Sequence, residues 1–97
     1  MTEEQYLLVK IAEEAGEVVQ AALKCAHLGI DNKEFEWART NSQTLKQELN
    51  DLFAVVEMLE GSSDCDLGLD SSLINAKIEK VGHWMKYSQV LGLVKDE

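Results

Sequence analysis

Proline is absent from all 97 residues, so no position is barred from the interior of a long helix. Glycine is scarce, and an apolar fraction of 45% excludes disordered and fibrous classes. The two cysteines, Cys25 and Cys65, stand in unlike settings, one in a helical run and one in an acidic loop. No CxxC or Cys/His cluster accompanies them, which argues against zinc and for free thiols in a cytoplasmic setting. No apolar run approaches membrane-spanning length, and the opening Met-Thr-Glu-Glu-Gln-Tyr lacks the basic-then-apolar pattern of a signal peptide. No membrane association is expected. Basic residues are also few, 9 against 18 acids for a net charge of −9. The basic footprint that a nucleic-acid binder needs is therefore missing. A nucleotide is not excluded on that ground, because a bound metal ion inverts the local field.

What the chain does have is helical periodicity. Thr2 followed by Glu3, Glu4 and Gln5 reads as an N-cap with acids in the first turn. The helix it opens is expected to run from Glu3 to His27 and to stop at Gly29. Residues 30–40 form a connector, in which Glu34 to Arg39 is expected to make a helical turn carrying Phe35 and Trp37. Asn41, Ser42 or Thr44 starts a second long helix, expected to end at Gly61. A loop rich in Gly, Ser and Asp follows, with Asp64, Asp66 and Asp70 serving solubility and capping. Ser71 or Ser72 caps a third helix bearing Leu73, Ile74, Ile78, Val81 and Met85, which frays after Gly92 into Lys95-Asp96-Glu97. Trp84 and Tyr87 on it read as core or interface residues. The expected fold is all-α, a small bundle of three to four helices forming one domain over residues 1–97. A chain this short has limited core of its own, so a homo-oligomer, dimer or tetramer, is expected.

Two carboxylate motifs stand out within this pattern, Glu13-Glu14-Ala15-Gly16-Glu17 and Glu48-Leu49-Asn50-Asp51. Advancing about 100° per residue, Glu14 and Glu48 each fall about 60° from the centre of their helix's apolar stripe. Glu17 and Asp51 fall about 120° to the same side. If the stripes pack together, four carboxylates converge on one flank of the seam. Crowded carboxylates repel unless cations neutralise them, and hard oxygen ligands suit magnesium, with manganese the alternative. Glu13 points away from that flank. Gly16, between the acids, marks either a close approach by a neighbour or a tolerated packing gap.

These motifs, within the wording EEAGEVVQAALK and ELNDLFAVVEML, resemble the EExxE and ExxD pair of the MazG-like all-α nucleoside triphosphate pyrophosphatases. That superfamily also takes in dimeric dUTPases and phosphoribosyl-ATP pyrophosphohydrolases. A third stretch, Lys77-Ile78-Glu79-Lys80, is similar to the family's basic stretch on its third helix. The resemblance implies that Glu14, Glu17, Glu48 and Asp51 hold magnesium and that Glu13 serves as an outer acid or as a base for water. It also implies that Lys77 and Lys80 contact phosphate and Asn75 the sugar or base. The implied reaction is metal-assisted attack of water between the α- and β-phosphates, giving a nucleoside monophosphate and pyrophosphate, as nucleotide-pool housekeeping. Trp37, with Phe35 and His27 nearby, is the aromatic placed to stack on a base. The connector is longer than in compact family members, and the His/Pro-containing tail common in MazG proteins is missing. Both departures bear on the substrate more than on the fold.

Other readings were weighed. A di-iron bundle needs Glu-x-x-His, and neither histidine qualifies, because lysines precede His27 and His83 by three positions. The remaining alternative is a non-catalytic acidic helical protein that dimerises or binds a partner through its apolar faces, with its acids solvated.

Overall fold

The computed structural model describes residues 1–95, so the expected fraying at Asp96 and Glu97 lies outside the described residues. Three helices make up the chain, α1 (Glu3–Leu28), α2 (Asn41–Ser63) and α3 (Ser71–Val90), and no strand occurs among the described residues. The fold is all-α. No helix among the described residues is long and apolar enough to cross a membrane. The chain falls into two compact units, Met1–Leu67 and Gly68–Glu97.

In the first unit α1 and α2 pack side by side as a helical hairpin. Their facing residues recur at alternating steps of three and four. On α1 these are Leu7, Ile11, Glu14, Val18, Ala21 and Cys25, and on α2 Asn41, Leu45, Glu48, Leu52, Val55 and Leu59; all are buried or half-buried. A 3.5-residue repeat of this kind is the seam of antiparallel helices packed knobs into holes. It explains why Ala21 is buried while Ala22, on the stripe expected from a 100° advance, is exposed. The fully buried part of the seam is thin, confined among apolar residues to Leu7, Ala21, Cys25 and Leu59.

The hairpin is held together where the helices meet. Thr2 caps α1, as the sequence foretells, and the structure adds a reciprocal box with Gln5. Gly29 ends the helix at φ 105°, a conformation only glycine adopts without strain, and its N–H donates to the Cys25 carbonyl at 2.9 Å. The first turn of α2 then docks on this end. Asn41 donates its side-chain amide to the Gly29 carbonyl (2.9 Å) and its backbone N–H to the Asn32 carbonyl (3.0 Å). Ser42 N–H reaches the Ile30 carbonyl at 3.0 Å. Amides that a helix N-terminus leaves orphaned are thereby satisfied by carbonyls of the preceding chain. These bonds also explain the burial of Asn41, the one polar residue among the buried ones described.

α2 starts at Asn41, the first of the three expected starts, behind a Thr40 cap that forms a capping box with Gln43 at 2.8 and 3.2 Å. Two points in this unit differ from expectation. Gly61 does not stop α2, which continues to Ser63 and ends at Asp64 in the left-handed region, φ 52°. Asp tolerates that conformation better than most side chains, so it ends the helix where glycine was expected to. The connector holds no helical turn. It makes two tight turns, Asn32 N–H to the Gly29 carbonyl at 3.3 Å and Ala38 N–H to the Phe35 carbonyl at 3.0 Å, and stacks Phe35 on Trp37.

The second unit is α3 with its flanks. Its cap is Asp70 and not the expected Ser71 or Ser72, because the Asp70 carboxylate accepts from Ser72 N–H (2.9 Å), Leu73 N–H (3.2 Å) and the Ser72 hydroxyl (2.6 Å). Those bonds hold its carboxyl below the usual aspartate value. Past α3 the chain turns back at Gly92, φ 77°, with Leu93 N–H on the Ser88 carbonyl at 2.9 Å.

Because the Thr40 box anchors the point where α2 docks on α1, Thr40→Ala should cost about 1 kcal/mol of hairpin stability, whereas Thr40→Ser should cost little. Urea unfolding followed by circular dichroism checks this, and equal midpoints for the alanine variant and the parent would show the box to be idle.

Candidate metal centre

Glu14 and Glu48 occupy seam positions of the hairpin, where the 3.5-residue repeat calls for apolar side chains. Both are half-buried, as is Asp51, one turn beyond Glu48 on α2. One carboxylate oxygen from each of Glu14, Glu48 and Asp51 lies within 4.8 Å of the others. Opposite ligands on a magnesium ion stand about 4.2 Å apart, twice the metal–oxygen bond, and calcium accepts slightly more. The three oxygens therefore span a gap of the size one divalent ion fills, and the donor set, all hard oxygen, matches such an ion.

The electrostatics point the same way. Burial pushes the Glu48 carboxyl above its ordinary value of 4.5, and the negative charges of Asp51, Glu17 and Glu14 add to the rise. Arg39 opposes it. Asp51 is oriented by the Gln47 side-chain amide, which donates to its Oδ1 at 2.8 Å and leaves the other oxygen free of that bond.

Of the acids singled out in the sequence, Glu14, Glu48 and Asp51 are brought together. Glu17 is not one of the three; it is exposed, although its charge reaches Glu48. Glu13 is exposed and paired with Lys10 at 3.0 Å, and that bond is the main cause of the raised Lys10 pKa. Gly16 has open space where a Cβ would stand, so close approach does not explain it within this chain. Trp37 is 83% exposed, its ring 5.1 Å from that of Phe35 and nearly parallel to it. Asn75, Lys77 and Lys80 lie on α3 in the second unit, all exposed.

Arg39 escaped the reading of the sequence. The only local signal for it is a cation placed just before the Thr40 cap, and nothing in the residue order shows that its charge reaches Glu48. Comparison with known proteins adds nothing here: no family model, no curated protein and no solved structure matches the chain.

The raised Glu48 pKa fixes the sign of a pH effect. The folded state holds this proton more tightly than the unfolded state, so the contribution favours folding below the ordinary value near 4.5 and is lost as pH rises through the raised one. In chelator, Glu48→Gln should remove that part of the pH dependence and raise the melting temperature at neutral pH. Identical melting profiles from pH 4.5 to 7 for variant and parent would mean that the carboxyl is effectively solvated.

Proposed function

We propose that the chain is a magnesium-dependent nucleotide pyrophosphohydrolase acting in the cytoplasm, which cleaves a nucleoside triphosphate between its α- and β-phosphates. The observation that carries this reading is the set of three carboxylate oxygens from Glu14, Glu48 and Asp51 within 4.8 Å on a helical seam. The resemblance of the two acid motifs to the MazG-like pyrophosphatases supplies the reaction.

In this reading Glu14, Glu48 and Asp51 hold the divalent ion. Glu17 joins by rotation of its side chain, lying one turn from Glu14 and within electrostatic reach of Glu48. Gln47 keeps Asp51 in its ligating orientation. When bound, the ion draws phosphate oxygens to the site and lowers the pKa of a water molecule at neutral pH. The water would give up a proton to solvent as its oxygen bonds to phosphorus, and the bridging P–O bond would break with its electron pair leaving on the departing phosphate, giving a monophosphate and pyrophosphate. Arg39, whose charge reaches this cluster, is a candidate contact for the phosphates. Glu13, engaged by Lys10, would serve as an outer acid or a base for water, and Glu14, Glu48 and Asp51 would act by holding the ion that lowers the pKa of the water.

A homo-oligomer belongs to the same reading. Leu8, Val19 and Leu23 on α1 and Phe53 and Met58 on α2 are each about half exposed, more apolar surface than a hairpin with so thin a core retains unaided. The same surface favours the alternative of a non-catalytic dimerisation protein. That alternative gives no account of acids at two seam positions.

Pyrophosphate release from a panel of ribo- and deoxyribonucleoside triphosphates, with magnesium and with chelator, tests the reaction. Release should require the metal. Glu48→Gln should lower it at least about a hundredfold, since a metal ion supplies several kcal/mol of transition-state stabilisation and each 1.36 kcal/mol is tenfold. Full activity of the variant would remove Glu48 from the site. Sedimentation at micromolar concentration should find a dimer or larger, and a monomer there would rule out assembly through these faces.

A further inference from the structure

The hairpin carries a second 3.5-residue repeat, one position on from its seam. On α1 it runs Leu8, Ala12, Ala15, Val19 and Ala22, and on α2 Lys46, Leu49, Phe53, Val56 and Glu60. Each of these residues directly follows a seam residue, so each lies about 100° around its helix from the seam. Because α1 and α2 run antiparallel, that turn carries both stripes to the same side of the hairpin. Glu17 and Asp51 stand three positions beyond seam residues and turn about 60° the other way. The carboxylate cluster therefore opens on the opposite side.

No charge interrupts the α1 stripe, and the α2 stripe is charged only at its two ends. Leu8, Val19 and Phe53 remain 50%, 56% and 49% exposed. A 3.5-residue repeat fits another helix with the same repeat, and two such stripes side by side fit a pair of helices. The order of residues along α2 says which pair. Lys46 and Glu60 each stand seven residues from Phe53, with Leu49 and Val56 between them. Turned end for end about Phe53, the stripe is its own complement. Lysine then meets glutamate at each end, leucine meets valine in the next layer, and the phenyl rings meet on the axis. Lys46 has no ion pair among the described residues. The Glu60 carboxylate is already fixed, accepting from Leu67 N–H at 2.8 Å through one oxygen.

The α1 stripe fits the same axis. Ala12 stands two residues before Glu14 and Phe53 two beyond Asp51, and those two carboxylates approach within 4.8 Å. Ala12 and Phe53 are therefore at about the same level of the antiparallel pair. The small side chains of Ala12 and Ala15 thus lie beside the bulkiest residue of the α2 stripe, which leaves room for two phenyl rings.

We propose that this face is a twofold interface with a second copy of the chain. In it α2 packs antiparallel on the partner's α2 about Phe53, and Lys46 pairs with Glu60 of the partner subunit. The proposal deepens the homo-oligomer of the proposed function by assigning it one face, off which Leu23 and Met58 lie. It also turns each subunit's carboxylates away from the partner, so that each cluster is complete within one hairpin.

The test is sedimentation velocity of the full chain over a micromolar concentration range, with helical content checked by circular dichroism. The parent should be a dimer. Phe53→Lys, at a half-exposed position of the helix, sets two ammonium groups face to face on the axis and should weaken the dimer at least about a hundredfold. Lys46→Glu and Glu60→Lys should each weaken it about tenfold, because each creates like-charged pairs at both ends. Mixed in equal amounts, those two variants should recover the parent's affinity, since both ends of the mixed dimer pair opposite charges. Within one chain positions 46 and 60 lie about 21 Å apart along α2, so recovery in the mixture reports contact between chains. A monomeric parent, an unweakened Phe53→Lys, or a mixture no tighter than either variant by itself would overturn the proposal. Pyrophosphate release with magnesium, measured on the same proteins, keeps the two readings apart. Release without this interface overturns the interface alone, and the interface without release overturns the reaction alone.

Discussion

Two glutamates at seam positions of a helical hairpin set the terms for the first unit of this protein. A 3.5-residue repeat selects for apolar side chains because each seam position loses water on both sides. Filling one such position on each helix with a carboxylate forfeits the apolar gain and partly desolvates like charges close to one another. Burial is the largest cause of the raised Glu48 pKa, ahead of every neighbouring charge. Partial burial at the seam and the crowding of Asp51, Glu17 and Glu14 thus act on Glu48 in the same direction. A proton would relieve the conflict, and so would the divalent ion of the proposed function, which would leave the acids ionised at neutral pH.

With the seam weakened at its middle, the hairpin depends on its ends. Capping boxes at Thr2 and Thr40, the glycine stop at Gly29 and the docking of Asn41 and Ser42 on carbonyls of residues 29–32 fix where α2 begins against α1. That point sets the register of everything beyond it. Were α2 to start one residue later, Glu48 and Asp51 would rotate by about 100° around the helix and leave the seam. Bonds of a connector without regular structure therefore set where the carboxylates fall along the seam, and Gln47 orients Asp51 there.

This division of labour explains what the residue order reveals and what it conceals. The three helices, the Thr2 cap and the Gly29 stop are local in origin and were legible in the sequence. So was the convergence of the acids, because it follows from helical spacing and from packing of the apolar faces. Three of the four expected ligands are brought together; Glu17, one turn beyond Glu14, lies exposed. The failures concern choices between similar local signals. Gly61 offered a stop that α2 passes over in favour of Asp64, and Ser71 and Ser72 offered caps for α3 where Asp70 serves. Phe35 and Trp37 satisfy each other by stacking and need no helical turn to do so. The reach of Arg39 to Glu48 joins the connector to the middle of α2 and has no counterpart in spacing along the chain.

The weakened seam also weighs between the two functional readings. A protein whose work is to present apolar faces to a partner gains by making its own seam as apolar as possible, since a well-packed hairpin presents those faces in one orientation. Leu or Ile at positions 14 and 48 would serve that end and would restore the repeat that Leu7, Ile11, Val18, Leu45, Leu52 and Leu59 already follow. Local rules broken without structural gain are most often broken at functional sites. Here the break falls on two helices at once, with a third acid, Asp51, held by Gln47 within reach of both. Solvated acids on a dimerisation module have no reason to occupy the seam, whereas ligands for a shared cation must stand where the helices meet.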